Sequence, residues 1–592
     1  MSAYKLIPVP RRNVQLQRSV FQARFDLNYR YLMSLKDENL LQNYYQEAGL
    51  WAPRQHPEGI HWGWESPTCQ VRGHFLGHWL SAAARIWAQT GDVQIKAKAD
   101  HIVAELARCQ RENGGEWAGS IPPTYLEWIA RGKGVWAPHY TLHKTMMGLI
   151  EMHTLAGNAQ APEIMQRWAE WFYRWTGRFS RAQMDDILDV ETGGMLEVWA
   201  DLYALTGDPR HLELLRRYDR PRLFQPLLDR QDPLTNKHAN TTIPEAQGAA
   251  RAWEVTGEAR WREIVEAYWR CAVTDRGYYC TGSQTCGEVW TPPYEFAARL
   301  GDKNQEHCVV YNMMRLADYL FRWTGDASYA DYRERNLYND ILAQQHPHTG
   351  MITYFLPLQA GAHKTWGTPT DHFWCCHGSL VQAHASHADG IYYTGEDGLS
   401  IAQYISSTLR WEWQGVPVEV SLALDPQIGR THRPDSLAVR VSVRAAQPVA
   451  FALHVRLPWW LSAAPTVTVN GARQDVPHAP TTFASLRRTW QQDEVYIELP
   501  KRLYTCLLPD APEMVAFMDG PVVLAGLCDE EITLYGDPTH PEMILTPDNE
   551  REWAYWRYDY RTRGQPRNIR FTPLYEVVDE RYTVYFPLQR CS

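Results

Sequence analysis

From about residue 15 to 395, apolar residues recur at i, i+3, i+4 and i+7, the period of helices with one buried face. Trp79, Ala82, Ala83 and Ile86 show it, as do Met195, Val198, Trp199 and Leu202, and again Met313, Leu316, Ala317 and Leu320. A turn signature accompanies these runs: Thr90-Gly91-Asp92, Ala156-Gly157-Asn158, Thr206-Gly207-Asp208, Thr256-Gly257-Glu258 and Thr324-Gly325-Asp326. Glycine just past a helix takes the left-handed conformation that ends it, and the polar residue after it can start the next one. The intervals are 66, 50, 50 and 68 residues, which suits one helical hairpin each. Hairpins stacked at such a period build an open solenoid or a closed toroid, and this stretch holds roughly six to seven of them. The expectation is a closed (α/α)6 barrel over residues 1–398.

Near residue 400 the period changes to 2. Phe451–Leu457, Thr466–Val469 and Glu494–Leu499 alternate as half-buried strands do, and Asn470-Gly471 after Val469 is a type I′ hairpin signal. The expected fold is therefore multidomain α plus β: the barrel, then one or two jelly-roll-like β-sandwiches over residues 399–592. Roughly the first 15 residues are candidates to pair with that β-module. No low-complexity linker separates the halves, so direct packing is expected.

The chain has 592 residues and a net charge of −9, with 45% apolar and 21% charged residues, which excludes disorder, collagen and coiled coil. Mild acidity argues against nucleic acid or an anionic membrane as partner. The 26 Trp and 32 Tyr outnumber 15 Phe, and flat rings with a polar tip stack on sugar faces as well as fill cores. The N-terminus, MSAYKLIPVPRRNVQLQ, has no apolar h-region or cleavage site. Nor does any run approach the ~20 apolar residues of a membrane span, so a cytoplasmic protein is expected. Eleven Cys in such a chain read as thiols, metal ligands or catalysts rather than a disulfide framework.

Cys375-Cys376, in DHFWCCHGS, has three readings: chance, a strained vicinal disulfide, or two thiolates on one metal. Glu306 and Cys308 lie upstream, and two positions apart in extended backbone they would share a side. One Glu and three Cys make a four-ligand set for tetrahedral zinc, and soft thiolates disfavour magnesium and calcium. Glu288, in Gly287-Glu288-Val-Trp290, sits between a Gly/Ser/Thr-rich loop and a Pro-Pro turn, where a catalytic acid belongs; a solvated surface Glu is the plainer alternative. His74 and His78 share a helix face but read as core or substrate-contacting residues, and His78 is kept among the substrate-binding candidates. There is no GxGxxG, P-loop, GxSxG, HExxH or CxxC.

At these residues the sequence resembles the β-L-arabinofuranosidases of glycoside hydrolase family 127 and its relative family 146. The resemblance runs through GWE at 63–65, RGHFLGH at 72–78, YTLHK at 140–144, GGM at 193–195 and HANTTIP at 238–244. It continues in GE at 287–288, EHC at 306–308, DYRERNLYN at 331–339, Tyr354 and FWCC at 373–376. It implies an (α/α)6 barrel followed by β-sandwiches and a zinc-dependent cysteine glycosidase acting on arabinofuranosyl oligosaccharides. By position, Glu306, Cys308, Cys375 and Cys376 would bind zinc, with Cys375 also the nucleophile and Glu288 the general acid/base. His143, His238, Glu334 and Tyr354 match sugar-contacting positions. A sugar-binding His of the family aligns near Thr192, where this chain instead has GGM, and that leaves the exact pentofuranose open. The rival readings are another (α/α)6 sugar enzyme (uronyl hydrolase, lyase or epimerase) and a non-catalytic carbohydrate-binding protein with structural zinc. The β-module could brace the barrel or support a homodimer.

Overall fold

Each turn predicted from Thr-Gly-Asp closes one helix and opens the next by the same device. In the computed structural model, which describes residues 4–50, 59–424, 435–477, 479–548 and 559–590, Gly91, Gly207, Gly257 and Gly325 take φ of 70°, 68°, 72° and 67°. The threonine before each glycine donates its hydroxyl to the carbonyl four residues back and accepts the N–H two residues on. Asp92, Asp208 and Asp326 then cap the following helix through their carboxylates.

These turns join an inner to an outer ring of helices. The inner helices are His74–Thr90, Pro138–Thr154, Met195–Thr206, Ala239–Thr256, His307–Thr324 and Cys375–His384. Each packs on the next and the last returns onto the first, closing the barrel. Outside them lie Val93–Glu112, Ala161–Thr176, Pro209–Arg217, Ala259–Trp269 and Ala327–Asn336, with Val20–Ser34 against the last inner helix. Because the inner-to-outer turns are short, the long connections all fall at the opposite end, where the inner helices begin. Six helix N-termini, each carrying partial positive charge, therefore face the same mouth. The barrel core is Trp-rich: Trp79, Trp168, Trp199 and Trp290 are wholly buried.

Beyond the barrel, the described residues form two mixed sheets. The first, ten-stranded, centres on the long strands Ser436–Leu457 and Thr482–Pro500 and includes the predicted hairpin at Asn470-Gly471. It also takes in Ile7–Pro8 and Val14–Leu16 from the N-terminus. The second sheet has eight strands between Leu503 and Gln589. It grips the mouth loops of the barrel. Tyr585 accepts the Cys280 N–H at 2.7 Å, Asp510 accepts the Phe296 N–H at 2.7 Å, and Tyr582 donates to the Pro357 carbonyl at 2.7 Å.

The first sheet is locked to the outer helices by a buried ion cluster. Arg456, wholly buried on Ser436–Leu457, donates to Asp331 and, at 2.5 Å, to Glu334. Trp460 donates to the other Glu334 oxygen at 2.7 Å. Removing the guanidinium strands two carboxylates away from water. Arg456→Met is therefore expected to destabilise the chain by about 3–5 kcal/mol in chemical denaturation, and a loss under 1 kcal/mol would show the cluster to be solvated.

Candidate active site

Two adjacent inner helices begin at the mouth with the residues singled out as ligands. Cys375 and Cys376 are the first two residues of Cys375–His384, while Glu306 caps His307–Thr324 and Cys308 lies in its first turn. Only Glu306 is extended (φ −62°, ψ 128°), so the expectation that Glu306 and Cys308 share a side along extended backbone is corrected. The chain turns into helix at once, and it is the cap that aims both side chains the same way. One ligand atom from each of Glu306, Cys308, Cys375 and Cys376 lies within 4.8 Å of the others, and all four residues are buried.

The Cys375 and Cys376 sulfurs are 3.8 Å apart, far beyond the ~2.05 Å of a disulfide, so they are free thiols rather than a vicinal bridge. Cys308 Sγ lies 3.5 Å from Cys376 Sγ and 3.0 Å from Ser379 Oγ, and Cys375 Sγ is 3.6 Å from Glu306 Oε1. Burial pushes the Cys375 and Cys376 thiols and the Glu306 carboxyl well above their ordinary ranges. Burial acts on Cys308 too, but hydrogen bonds from Cys375, Cys376 and Ser379 outweigh it and bring that thiol to about 6. Glu306 Oε2 is buried without a partner. A soft, anionic, four-donor set with an orphaned carboxylate oxygen fits zinc and does not fit a hard cation.

Glu288 reaches this cluster from a two-stranded hairpin, Thr285–Cys286 and Val289–Trp290. Gly287 (φ 59°) and Glu288 (φ 68°) are its two turn residues, the type I′ geometry that requires positive φ twice. A glutamate there carries backbone strain, as residues at working sites often do. The hairpin is held by an antiparallel bridge from Val289 to His238 and by the Ala239 N–H, which donates to the Glu288 carbonyl at 2.8 Å. The Tyr354 hydroxyl donates to Glu288 Oε1 and lies 3.3 Å from Cys375 Sγ. On its other side Glu288 meets His238, whose Nε2 is 4.0 Å from Oε2 and whose Nδ1 bonds Thr241 Oγ1 at 2.7 Å. The Glu288 side chain is 38% exposed, open to water at one edge.

The histidines divide by what their nitrogens touch. His74 is fully engaged, Nε2 with the Phe373 carbonyl at 2.8 Å and Nδ1 with the Tyr140 hydroxyl at 3.1 Å, and so is a structural residue. His78 holds Gln382 through Nδ1 at 2.6 Å and leaves Nε2 buried and unpartnered. Neither nitrogen of His143 has a partner. Its ring is seated by Gly194, where a Cβ would fall 2.4 Å from His143 Nε2. Burial lowers the pKa of all three, so they face the barrel bore as neutral rings. His78 and His143 line a small interior cavity together with Tyr140, Asn240, Cys308 and Ser379. Glu334 is not brought to this group, because both its oxygens are consumed by Arg456 and Trp460 at the barrel–sheet interface.

Several neighbours were not foreseen. Ser379 stands one helical turn after Cys376, a spacing that could have flagged it. Tyr140 lies one turn before His143 in the same motif. Trp64 and Trp374 pack against the cysteine cluster, and Trp64 meets the exposed Trp136 edge-on at 4.7 Å. Glu191, in the loop before Met195–Thr206, lies 3.9 Å from His238 Nδ1. No sequence signal marked it.

Comparison with known proteins bears on the family and the fold. A family model described as the β-L-arabinofuranosidase GH127 catalytic domain matches residues 13–389, and one for the GH127 middle domain matches residues 398–501. A non-reducing end β-L-arabinofuranosidase of Bifidobacterium longum subsp. longum is 25% identical over 459 residues, which is 66% of this chain and 65% of that protein. A GH127 β-arabinofuranosidase structure superposes with a TM-score of 0.75 at 17% identity, covering 99% of this chain and 98% of that one. A GH127 β-L-arabinofuranosidase from Geobacillus stearothermophilus T6 superposes at 0.71 with 19% identity, covering 98% and 100%. These two structural likenesses speak to fold.

Proposed function

The chain belongs to glycoside hydrolase family 127, and on that premise we propose that it is a retaining exo-glycosidase releasing β-L-arabinofuranose from plant-derived oligosaccharides. The observation that carries the reading is the Tyr354 hydroxyl, which touches both Cys375 Sγ and the Glu288 carboxylate. A nucleophile and a proton donor flanking one point are what double displacement at an anomeric carbon needs. A purely structural zinc site would not need a strained Glu beside it.

Glu306, Cys308, Cys375 and Cys376 would hold zinc, which when bound keeps the coordinating sulfurs as thiolates despite their burial. Cys375 Sγ attacks the anomeric carbon while Glu288 gives its proton to the departing oxygen, so the C–O bond breaks as the C–S bond forms. Glu288, now a carboxylate, takes a proton from water; that water attacks the same carbon and releases Cys375 and the sugar. Two inversions give net retention. Tyr354 fixes the Glu288 rotamer through its hydrogen bond. His143 and His78, neutral and with free nitrogens, are placed to accept or donate to sugar hydroxyls, and His238 borders the same space. Glu334 is proposed to act only through Arg456, by bracing the sheet.

The test is product stereochemistry on an aryl β-L-arabinofuranoside. Purified, reduced, zinc-replete protein is expected to release the β-anomer first, as seen by NMR, with about one zinc per chain by atomic emission. Stripping the zinc is expected to abolish release and lower the melting temperature together. Release of the α-anomer first would exclude the cysteine displacement.

A further inference from the structure

We propose that Glu191 is a sugar-contacting residue of this pocket and that it restricts the pocket to neutral furanosides, excluding those that carry a carboxylate. The inference rests on the glycosidase reading above and names its substrate class.

The loop before Met195–Thr206 places three successive residues in different ways. Thr192 is buried, its hydroxyl donating to the Leu188 carbonyl at 3.1 Å and turned towards Glu245. Gly193 is left-handed at φ 58°, and Gly194 presses on the His143 ring. These two glycines let the loop settle onto His143, and with Thr192 turned inward Glu191 is the side chain that meets His238. Its carboxylate is 37% exposed and faces His238 at 3.9 Å, beyond hydrogen-bonding range, while His238 Nδ1 is already engaged by Thr241. Part-exposed acceptor oxygens across His238 from Glu288, with no committed donor at His238, suit sugar hydroxyls, which form charge-assisted bonds to carboxylate.

The same position sets the sign of the pocket. His238, Glu288 and Glu306 have ligand atoms within 4.8 Å of one another, and Glu191 adds a further carboxylate on the far side of His238. Burial, with a smaller push from Glu288, holds Glu191 above the ordinary carboxylate range against the opposing pull of His238. The arginines nearest this loop are already held, Arg220 by Glu245 and Asp189 and Arg222 by Asp189 and Asp186, and Arg315 is held by Glu197 at 2.6 Å. A sugar carboxylate would meet like charge, with these arginines already committed to other carboxylates.

The wild type, Glu191→Gln and Glu191→Ala are compared on an aryl β-L-arabinofuranoside and on its analogue oxidised to the carboxylate at C5. The wild type is expected to prefer the neutral substrate by at least about 100-fold in kcat/KM. Glu191→Gln, which keeps an acceptor but loses the charge, is expected to lose about five- to tenfold on the neutral substrate through KM and to narrow the preference by about tenfold or more. Glu191→Ala is expected to lose about 10- to 100-fold on the neutral substrate, mainly through KM, with an unchanged melting temperature. Unchanged preference in both variants, or neutral kcat/KM within twofold in Glu191→Ala, overturns the assignment of Glu191. If the wild type turns over neither substrate, the glycosidase reading fails and this inference falls with it.

Discussion

Cys375→Ala is expected to lose about four to six orders of magnitude in kcat, the loss seen when the nucleophile of a covalent mechanism is removed. The expectation follows from the geometry, which leaves Cys375 no substitute. Cys376 Sγ, 3.8 Å away, is wholly buried, engaged with Cys308 at 3.5 Å and with the Tyr354 carbonyl at 3.9 Å, whereas it is Cys375 that meets the Tyr354 hydroxyl. Glu306 is fully buried, with Oε1 3.6 Å from the Cys375 sulfur, and is itself a candidate ligand. The difficulty is that Cys375 is also one of four candidate ligands, so alanine could act by emptying the site. Cys376→Ala separates the two roles, since it removes a ligand and leaves the attacking sulfur in place. It should lower zinc occupancy at least as much, yet regain measurable turnover when zinc is supplied in excess. Cys375→Ala should regain none at any zinc level. If Cys375→Ala retains a tenth of wild-type turnover, the displacement mechanism is wrong and the site is structural.

How much of this was legible in the chain depends on whether the signal was local. The barrel was, because each Thr-Gly-Asp turn is specified by its own three residues: a hydroxyl that caps backward, a glycine at positive φ and an acid that caps forward. The hairpin at Asn470-Gly471 was legible for the same reason. The cysteine–glutamate group was legible as chemistry, since few other purposes gather one Glu and three Cys. Its geometry was not, because Glu306 and Cys308 sit at a helix cap rather than along a strand. Glu334 shows the limit of carrying roles by position. Its motif matched, but its carboxylate is neutralised by Arg456, more than a hundred residues later in the β-module, and no local pattern announces that pairing. Glu191 reaches the site through loop packing and has no sequence signature, whereas Tyr140 opens the YTLHK motif and could have been read from it. The β-module itself was expected as one or two sandwiches. The role of its second sheet, clamping the loops that carry Glu288 and Tyr354, came only from long-range hydrogen bonds.

Glu288→Gln is expected to cost about 10²- to 10⁴-fold in kcat/KM, with the size set by the leaving group. A glutamine keeps the shape and can still accept from Tyr354, but it cannot deliver a proton to the departing oxygen. For a sugar or alkyl leaving group, whose alkoxide is a poor departing species, the full loss should appear. For a dinitrophenyl group, which leaves readily without a proton, the first step should be nearly spared. The deficit then moves to the second step, where water must attack without a base. A small anionic nucleophile such as azide, which needs no base, should restore turnover and yield a glycosyl azide. Equal losses on both substrates, with no azide product, would assign Glu288 a positioning role only. The backbone supplies an independent check. Glu288 holds φ of 68°, a conformation costing a non-glycine residue about 1 kcal/mol, and Glu288→Gly removes that cost. The extra freedom of glycine in the unfolded chain offsets about as much, so this variant should melt within about 2 °C of the wild type while inactive on sugar leaving groups. Unchanged melting together with lost activity assigns the Glu288 carboxylate to the chemistry rather than to folding.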